Sequence, residues 1–173
     1  MVLTGHAQSI ESPNRQLNLT FHVDNGIPYY SLLYKGKIII EKSRLGFEMK
    51  NIPSMVDNFS ILKSSTSAFD ETWEPVWGEV KKIRNQYNEL EITLEQGSPK
   101  RTVIIRFRLY DDGLGFRYEF PNQKNLSYFT IAEEITQFNL GKDYTAFWIR
   151  GDYDTNEYNY TTSLLSEVSH QID

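Results

Sequence analysis

Leu17-Asn18-Leu19-Thr20-Phe21-His22-Val23 runs into Asp24-Asn25-Gly26, and Tyr29 to Tyr34, Lys35-Gly36-Lys37 and Ile38-Ile39-Ile40 follow. Leu17, Leu19, Phe21 and Val23 alternate with Asn18, Thr20 and His22, the period of two of a half-buried strand. Asn25-Gly26 is a hairpin signal, because both residues tolerate positive φ. A second Gly-centred turn follows within ten residues, so the stretch predicts a meander of three short antiparallel strands.

The pattern continues outward. Leu45 to Met49 and Phe59 to Lys63 are expected as strands, parted by Asn51-Ile52-Pro53-Ser54. Thr72 to Trp77 contains Pro75, which cannot donate to a ladder, so it reads as an edge strand or an ordered loop. Within Ile83 to Glu95, Leu90, Ile92 and Leu94 alternate, and the second half is read as a strand. Gly97-Ser98-Pro99 and Asp111-Asp112-Gly113 are turns around Thr102 to Tyr110, and Gly115 to Phe120, Ser127 to Ala132 and Thr145 to Ile149 complete the strands. No stretch of about 12 residues keeps a 3.6-residue apolar period. Short strands with turns every 8–12 residues or so predict an all-β antiparallel sandwich or barrel.

Size and charge narrow the function. With 173 residues, the chain is one domain's length and can bury about 70 % of its extended surface. Eighteen basic against 23 acidic residues leave a net charge of −5. That argues against nucleic acid as partner, which needs clustered Lys and Arg. No window approaches about 18 apolar residues, so no helical membrane span is expected. The absence of cysteine excludes disulfides, thiolate metal sites and a thiol nucleophile. His6, His22 and His170 are scattered, and there is no phosphate loop, nucleophile elbow or zinc-protease motif. Residues 1–8 stand apart from the strands. Gly5-His6-Ala7 puts small residues at the −3 and −1 positions of a signal-peptidase site, so the segment reads as a remnant of a secretory signal or as an ordinary disordered N-terminus.

Two clusters exceed ordinary surface. One is Glu71-Thr72-Trp73-Glu74-Pro75-Val76-Trp77-Gly78-Glu79 with Arg84-Asn85-Gln86-Tyr87-Asn88-Glu89. Trp73, Trp77, Arg84 and Asn85 either pack in a domain interface or line a sugar site, since tryptophan adds large rigid area to both. The other is Phe147-Trp148-Ile149-Arg150-Gly151-Asp152-Tyr153-Asp154-Thr155-Asn156-Glu157-Tyr158, an apolar strand entering a loop of oxygen donors. Asp152, Asp154 and Glu157 suit a hard cation such as Ca²⁺. The loop lacks the glycine and flanking helices of an EF-hand, so further ligands must come from elsewhere.

These clusters, with Asp112-Gly113-Leu114-Gly115-Phe116-Arg117-Tyr118-Glu119-Phe120-Pro121, resemble the N-terminal domain of glycoside hydrolase family 97 from about Ser9 to Val168. The resemblance implies a β-super-sandwich like that of galactose mutarotase, followed in a full-length parent by a catalytic (β/α)₈ barrel and a C-terminal β domain. It implies a periplasmic or secreted enzyme acting on α-linked glucosides or galactosides, with an α-linked oligosaccharide as ligand. It also implies a Ca²⁺ held by barrel glutamates plus one glutamate of the N-terminal domain. By its place in the Asp-Tyr-Asp-Thr-x-Glu-Tyr motif, that glutamate is Glu157.

The family's acid and its base or nucleophile belong to the barrel, so no catalytic residue maps here and the chain is expected to be inactive alone. The expected domain is 9–168, incomplete at its C-terminal side, with 169–173 as a tail and a truncated gene or partial sequence as the cause. The alternative is a stand-alone carbohydrate-binding sandwich.

Overall fold

The computed structural model describes residues 7–170. The chain divides into two compact units, one through Asn139 and one from Leu140 onward.

In the first unit, β1 (Gln8–Glu11), β2 (Leu17–Asp24), β3 (Ile27–Tyr34) and β4 (Lys37–Arg44) form an antiparallel sheet in chain order. The short strand β5 (Phe47–Met49) follows. Then β6 (Phe59–Trp73), β7 (Ile83–Gln96), β8 (Arg101–Leu109) and β9 (Leu114–Glu119) form a second four-stranded antiparallel sheet, again in chain order. β10 (Ile131–Glu134) pairs with β5 through a bulge. One single-turn 3₁₀ helix, Lys124–Leu126, buries Leu126.

The apolar alternation explains the layering. On β8, Val103, Ile105, Phe107 and Leu109 are buried, while Thr102, Ile104, Arg106 and Arg108 between them are only half-covered. They meet Leu90, Ile92 and Leu94 of β7 and, from the first sheet, Leu19, Phe21, Tyr30 and Leu32 in one continuous core. Phe107 lies 6.1 Å from Phe21 and 6.0 Å from Tyr30 between ring centroids. The unit is therefore a β-sandwich closed by interdigitated rings. The Tyr30 hydroxyl donates to the Gln137 carbonyl at 2.8 Å. Burial pushes its pKa up to about 12.

Two polar side chains are buried by design of the hairpin between β7 and β8. Gln96 donates to the Ser54 and Asp57 carbonyls at 2.9 and 3.0 Å. Arg101 donates to Gln96 Oε1 at 3.0 Å and to the Ser54 carbonyl at 3.1 Å. Together they pin the connection between β5 and β6 against the second sheet. Burial lowers the Arg101 pKa from its ordinary value.

The structure moves several sequence boundaries. β6 extends to Trp73, ten residues past the expected Lys63, because Ser64 to Trp73 pair with Ile83 to Ile92 even though few of them are apolar. The same pairing makes all of Ile83 to Gln96 a strand. Leu45 lies outside β5, and Ser127 to Thr130 lie outside β10. Gln8 belongs to a strand, opposite Phe21. The N-terminal reading otherwise falls on residues 1–6, outside the described residues. Of residues 169–173, Ser169 and His170 close a 3₁₀ helix, and 171–173 lie outside the described residues.

In the second unit, β11 (Thr145–Trp148) and β12 (Thr161–Leu164) form a hairpin that leads into the 3₁₀ helix Leu165–His170. β12 carries no apolar alternation and was not expected from sequence.

The first turn joins the hairpin to the second sheet. Asn25 and Gly26 have φ of 50° and 80°, and the Phe59 amide donates to the Gly26 carbonyl at 2.8 Å. A Cβ on Gly26 would sit 2.8 Å from the Asn58 amide nitrogen, whereas one on Gly36, at φ 75°, would meet nothing within 4 Å. Gly36→Ala is expected to cost about 1–2 kcal/mol from the left-handed backbone. Gly26→Ala should cost at least about 1 kcal/mol more from overpacking. Urea unfolding of the two variants measures the difference, and equal losses would contradict the packing at this turn.

Candidate functional site

β7 pairs with β8 only from Asn88 onward, while its pairing with β6 begins at Ile83. Residues 69–87 are thus a two-stranded ribbon without a third strand. Directly paired residues share a face. Phe69 stands opposite Tyr87 and Trp73 opposite Ile83, and the Phe69 and Tyr87 rings stack at 5.1 Å. The opposite face carries Asp70 and Arg84, joined by a bidentate ion pair at 2.8 and 2.7 Å. The hydrogen bonds from Arg84 hold the Asp70 carboxyl below its ordinary value. The ribbon is amphipathic across its two faces.

Its tip, residues 74–82, concentrates apolar surface. Trp77 is 86 % exposed and Trp73 48 %, with Val76 and Val80 also exposed. Gly78 takes φ 137° to make the bend, and Lys82 reaches Glu74 at 3.7 Å. Exposed apolar residues massed this way mark an interaction site. Of the four residues singled out in the first cluster, Trp73, Arg84 and Asn85 lie on the ribbon and Trp77 lies at its tip. Asn85 is the half-buried one, opposite Glu71. Asp70 and Ile83 complete the arrangement together with Phe69, which sequence reasoning missed. The signal was the spacing of Phe69, Glu71 and Trp73 at every second position.

The ribbon rises from a charged patch on the outer face of the second sheet. Arg106 reaches Glu89 at 2.6 Å, Glu91 at 2.7 Å and Glu119 at 3.0 Å, and Arg108 reaches Glu89 at 2.6 Å. The Arg108 guanidinium also lies 4.4 Å over the Tyr87 ring. Burial alone would raise the Glu89 pKa, but hydrogen bonds from Arg108 and Arg106 outweigh it and hold the carboxyl below its ordinary value.

In the second unit, Asp152, Asp154 and Glu157 lie together in the loop joining β11 to β12. Trp148 anchors the hairpin by donating its indole N–H to Ser163 Oγ at 3.1 Å. Asp152 folds the loop: one carboxylate oxygen accepts the Asp154 amide at 2.8 Å and the other accepts the Tyr158 hydroxyl at 2.9 Å. These bonds hold the Asp152 carboxyl below its ordinary value. Thr155 Oγ1 accepts the Glu157 amide at 3.1 Å, and the Glu157 side chain is exposed. Asp152 is therefore committed to loop structure, while Glu157 is offered outward. Among the described residues, no group of three or more acidic or histidine side chains converges to hold a metal ion. Glu157 suits one place in an oxygen shell, and the loop alone does not make a complete one.

Comparison with known proteins decides the family. The sequence profile described as Glycosyl-hydrolase 97 N-terminal matches residues 10–173. The chain belongs to this family. The expected β-sandwich and the resemblance at Trp73 to Glu79 and Asp152 to Tyr158 both agree with it. A glycoside hydrolase family 97 enzyme from Pseudoalteromonas sp. strain K8, solved with panose and with acarbose, is 32 % identical, with a TM-score of 0.84 over 90 % of this chain and 24 % of that one. A β-arabinopyranosidase is 30 % identical, with a TM-score of 0.73 over 81 % of this chain and 22 % of that one. This family 97 N-terminal domain thus spans about a quarter of the length of those relatives. No helix among the described residues is long and apolar enough to cross a membrane.

The charged patch gives a pH prediction. A carboxyl whose native pKa is depressed adds stability above its unfolded value of about 4.3, and that stability is lost as pH falls through the lower native value. Glu89→Gln should cost about 2 kcal/mol at neutral pH, because it leaves Arg106 and Arg108 without their shared partner. It should also flatten the loss of stability as pH falls below about 4.3. Urea unfolding at a series of pH values tests both, and a parallel pH profile for the variant would contradict the role of Glu89.

Proposed function

We propose that this domain is the non-catalytic N-terminal portion of an α-glycosidase, that its ribbon tip packs on a (β/α)₈ catalytic barrel, and that Glu157 lends a carboxylate to a Ca²⁺ at the sugar site. The observation that carries the reading is the apolar tip around Trp77, at the end of a ribbon rooted in a rigid, ion-paired sheet. A tip of this kind, on a domain that spans a quarter of its relatives, fits an arm that is buried in a larger protein. The relative solved with panose and acarbose favours α-linked oligosaccharides as the ligand class. A β-arabinopyranosidase among the similar structures goes with a sugar choice made outside this domain. A periplasmic or secreted location goes with that assignment.

Bound Ca²⁺ would supply a positive charge that orients sugar hydroxyls. Glu157 would give it one oxygen ligand, with the Asp152 and Thr155 bonds fixing the loop beneath that side chain. The outward aim of Glu157 also couples the loop to whatever protein holds the remaining ligands, so docking and metal binding support each other.

Two variants separate the parts of this reading. In a full-length enzyme carrying this domain, Glu157→Gln should weaken Ca²⁺ binding about tenfold or more and lower turnover with it, as read by calcium titration and hydrolysis of an aryl α-glucoside. Unchanged values for both would contradict the assignment. Trp77→Ala should leave the stability of this domain within about 0.5 kcal/mol, because the ring makes little contact with it, yet weaken docking by about 2 kcal/mol. Equal effects on both would mean the tip is not an interface. If the domain were instead a stand-alone sugar-binding module, maltooligosaccharides would quench its tryptophan fluorescence saturably. The docking reading expects no such change.

A further inference from the structure

The second sheet ends at β6, and β6 pairs with β7 alone. Its fifteen residues make a long edge, and folded proteins normally guard such edges with charge, proline or a bulge. Here the bulge sits at Leu62, at one end. From Ser64 to Phe69 (Ser-Ser-Thr-Ser-Ala-Phe) there is no charge and no proline. The regular part, Lys63 to Trp73, is exposed apart from half-buried Ser64. One opposite-charge pair flanks the unguarded stretch, with Lys63 on one side and Glu71 on the other, four residues either side of Ser67. Neither has an ion-pair partner among the described residues.

That symmetry selects an occupant. A two-fold axis perpendicular to the sheet, midway between two copies of β6 at the level of Ser67, would set the strands antiparallel. Residues of equal parity would then face each other, which keeps the outer face of one sheet continuous with the outer face of the other. Lys63 would oppose the partner's Glu71, and Glu71 the partner's Lys63. Ser65 would oppose Phe69, and Thr66 would oppose Ala68, so no like charges meet. Shifting the register by two residues sets Lys63 against Phe69 or Trp73 and loses both charge pairs. The bulge at Leu62 ends the ladder beyond Glu71 on each side.

We propose that the β6 edge is a self-pairing surface that joins two copies of this chain into one continuous eight-stranded sheet. The surface uses edge backbone groups and Lys63–Glu71 pairs. It leaves the tip residues 74–82 free and does not depend on the docking reading above.

Sedimentation equilibrium of the 173-residue chain across a wide concentration range tests it. The expected mass rises from one chain toward two, and molar salt, which screens the charge pairs, shifts it back. Lys63→Glu or Glu71→Lys alone turns both symmetric pairs repulsive and should weaken the dimer about tenfold. The double reversal should restore it, with circular dichroism checking that each variant is folded. A chain that stays monomeric at every concentration overturns the proposal, and that is the outcome if the edge serves a different protein or further polypeptide. A dimer indifferent to both reversals, or one that the double reversal fails to rescue, overturns it too.

Discussion

Phe107 holds the two sheets to one another, and the rest of the first unit depends on that contact. Its ring lies within 6.1 Å of Phe21, 6.0 Å of Tyr30 and 5.5 Å of Phe116, so residues from β2, β3, β8 and β9 share one aromatic cluster. Each ring is large and apolar on its faces, and tilted packing lets the four interdigitate between the sheets. With this face committed inward, the outward face of β8 is left to Arg106 and Arg108. Their ion pairs with Glu89, Glu91 and Glu119 stiffen the sheet at the root of the ribbon. A rigid root is what allows an arm of only two strands to present Trp73 and Trp77.

The division of labour within the chain follows from the same chemistry. Groups with local partners are structural: Asp70 is held by Arg84, Asp152 by the Asp154 amide and Tyr158, and Asp143 by Ser166 at 2.7 Å. The groups to which the proposal gives a role are left outward. Trp77 and Glu157 are the two clearest, one apolar and one charged, and each sits at the end of a hairpin that other side chains have already fixed. Membership of family 97 places such features on a domain whose relatives are about four times longer. The proposed docking and calcium roles assign both to the contact with that additional protein.

Much of the fold was legible in the sequence because the deciding signals are local. Leu17 to Val23 alternates cleanly, Asn25-Gly26 makes the expected positive-φ turn, and Val103 to Leu109 alternates on β8. The signal failed where pairing, not burial, makes the strand. Ser64 to Ala68 lacks an apolar face, and only its ladder with Asn88 to Ile92 of β7 reveals it. β12 is the same case, since Thr161 to Leu164 is a strand because β11 lies beside it. The candidate site was legible as two clusters but not as geometry. Nothing local in Asp152, Asp154 and Glu157 says which carboxylate the loop consumes, and nothing in Arg84 says that Asp70 takes it.

The proposed docking role makes the ribbon tip a buried interface in the intact enzyme. Amide hydrogen exchange across residues 74–82 tests this most directly, comparing the isolated chain with a full-length enzyme that carries the same domain. Burial of the tip predicts rapid exchange in the isolated chain and strong protection at Val76, Trp77 and Val80 in the full-length protein, with β8 equally protected in both. Equal, rapid exchange at the tip in both proteins would contradict it.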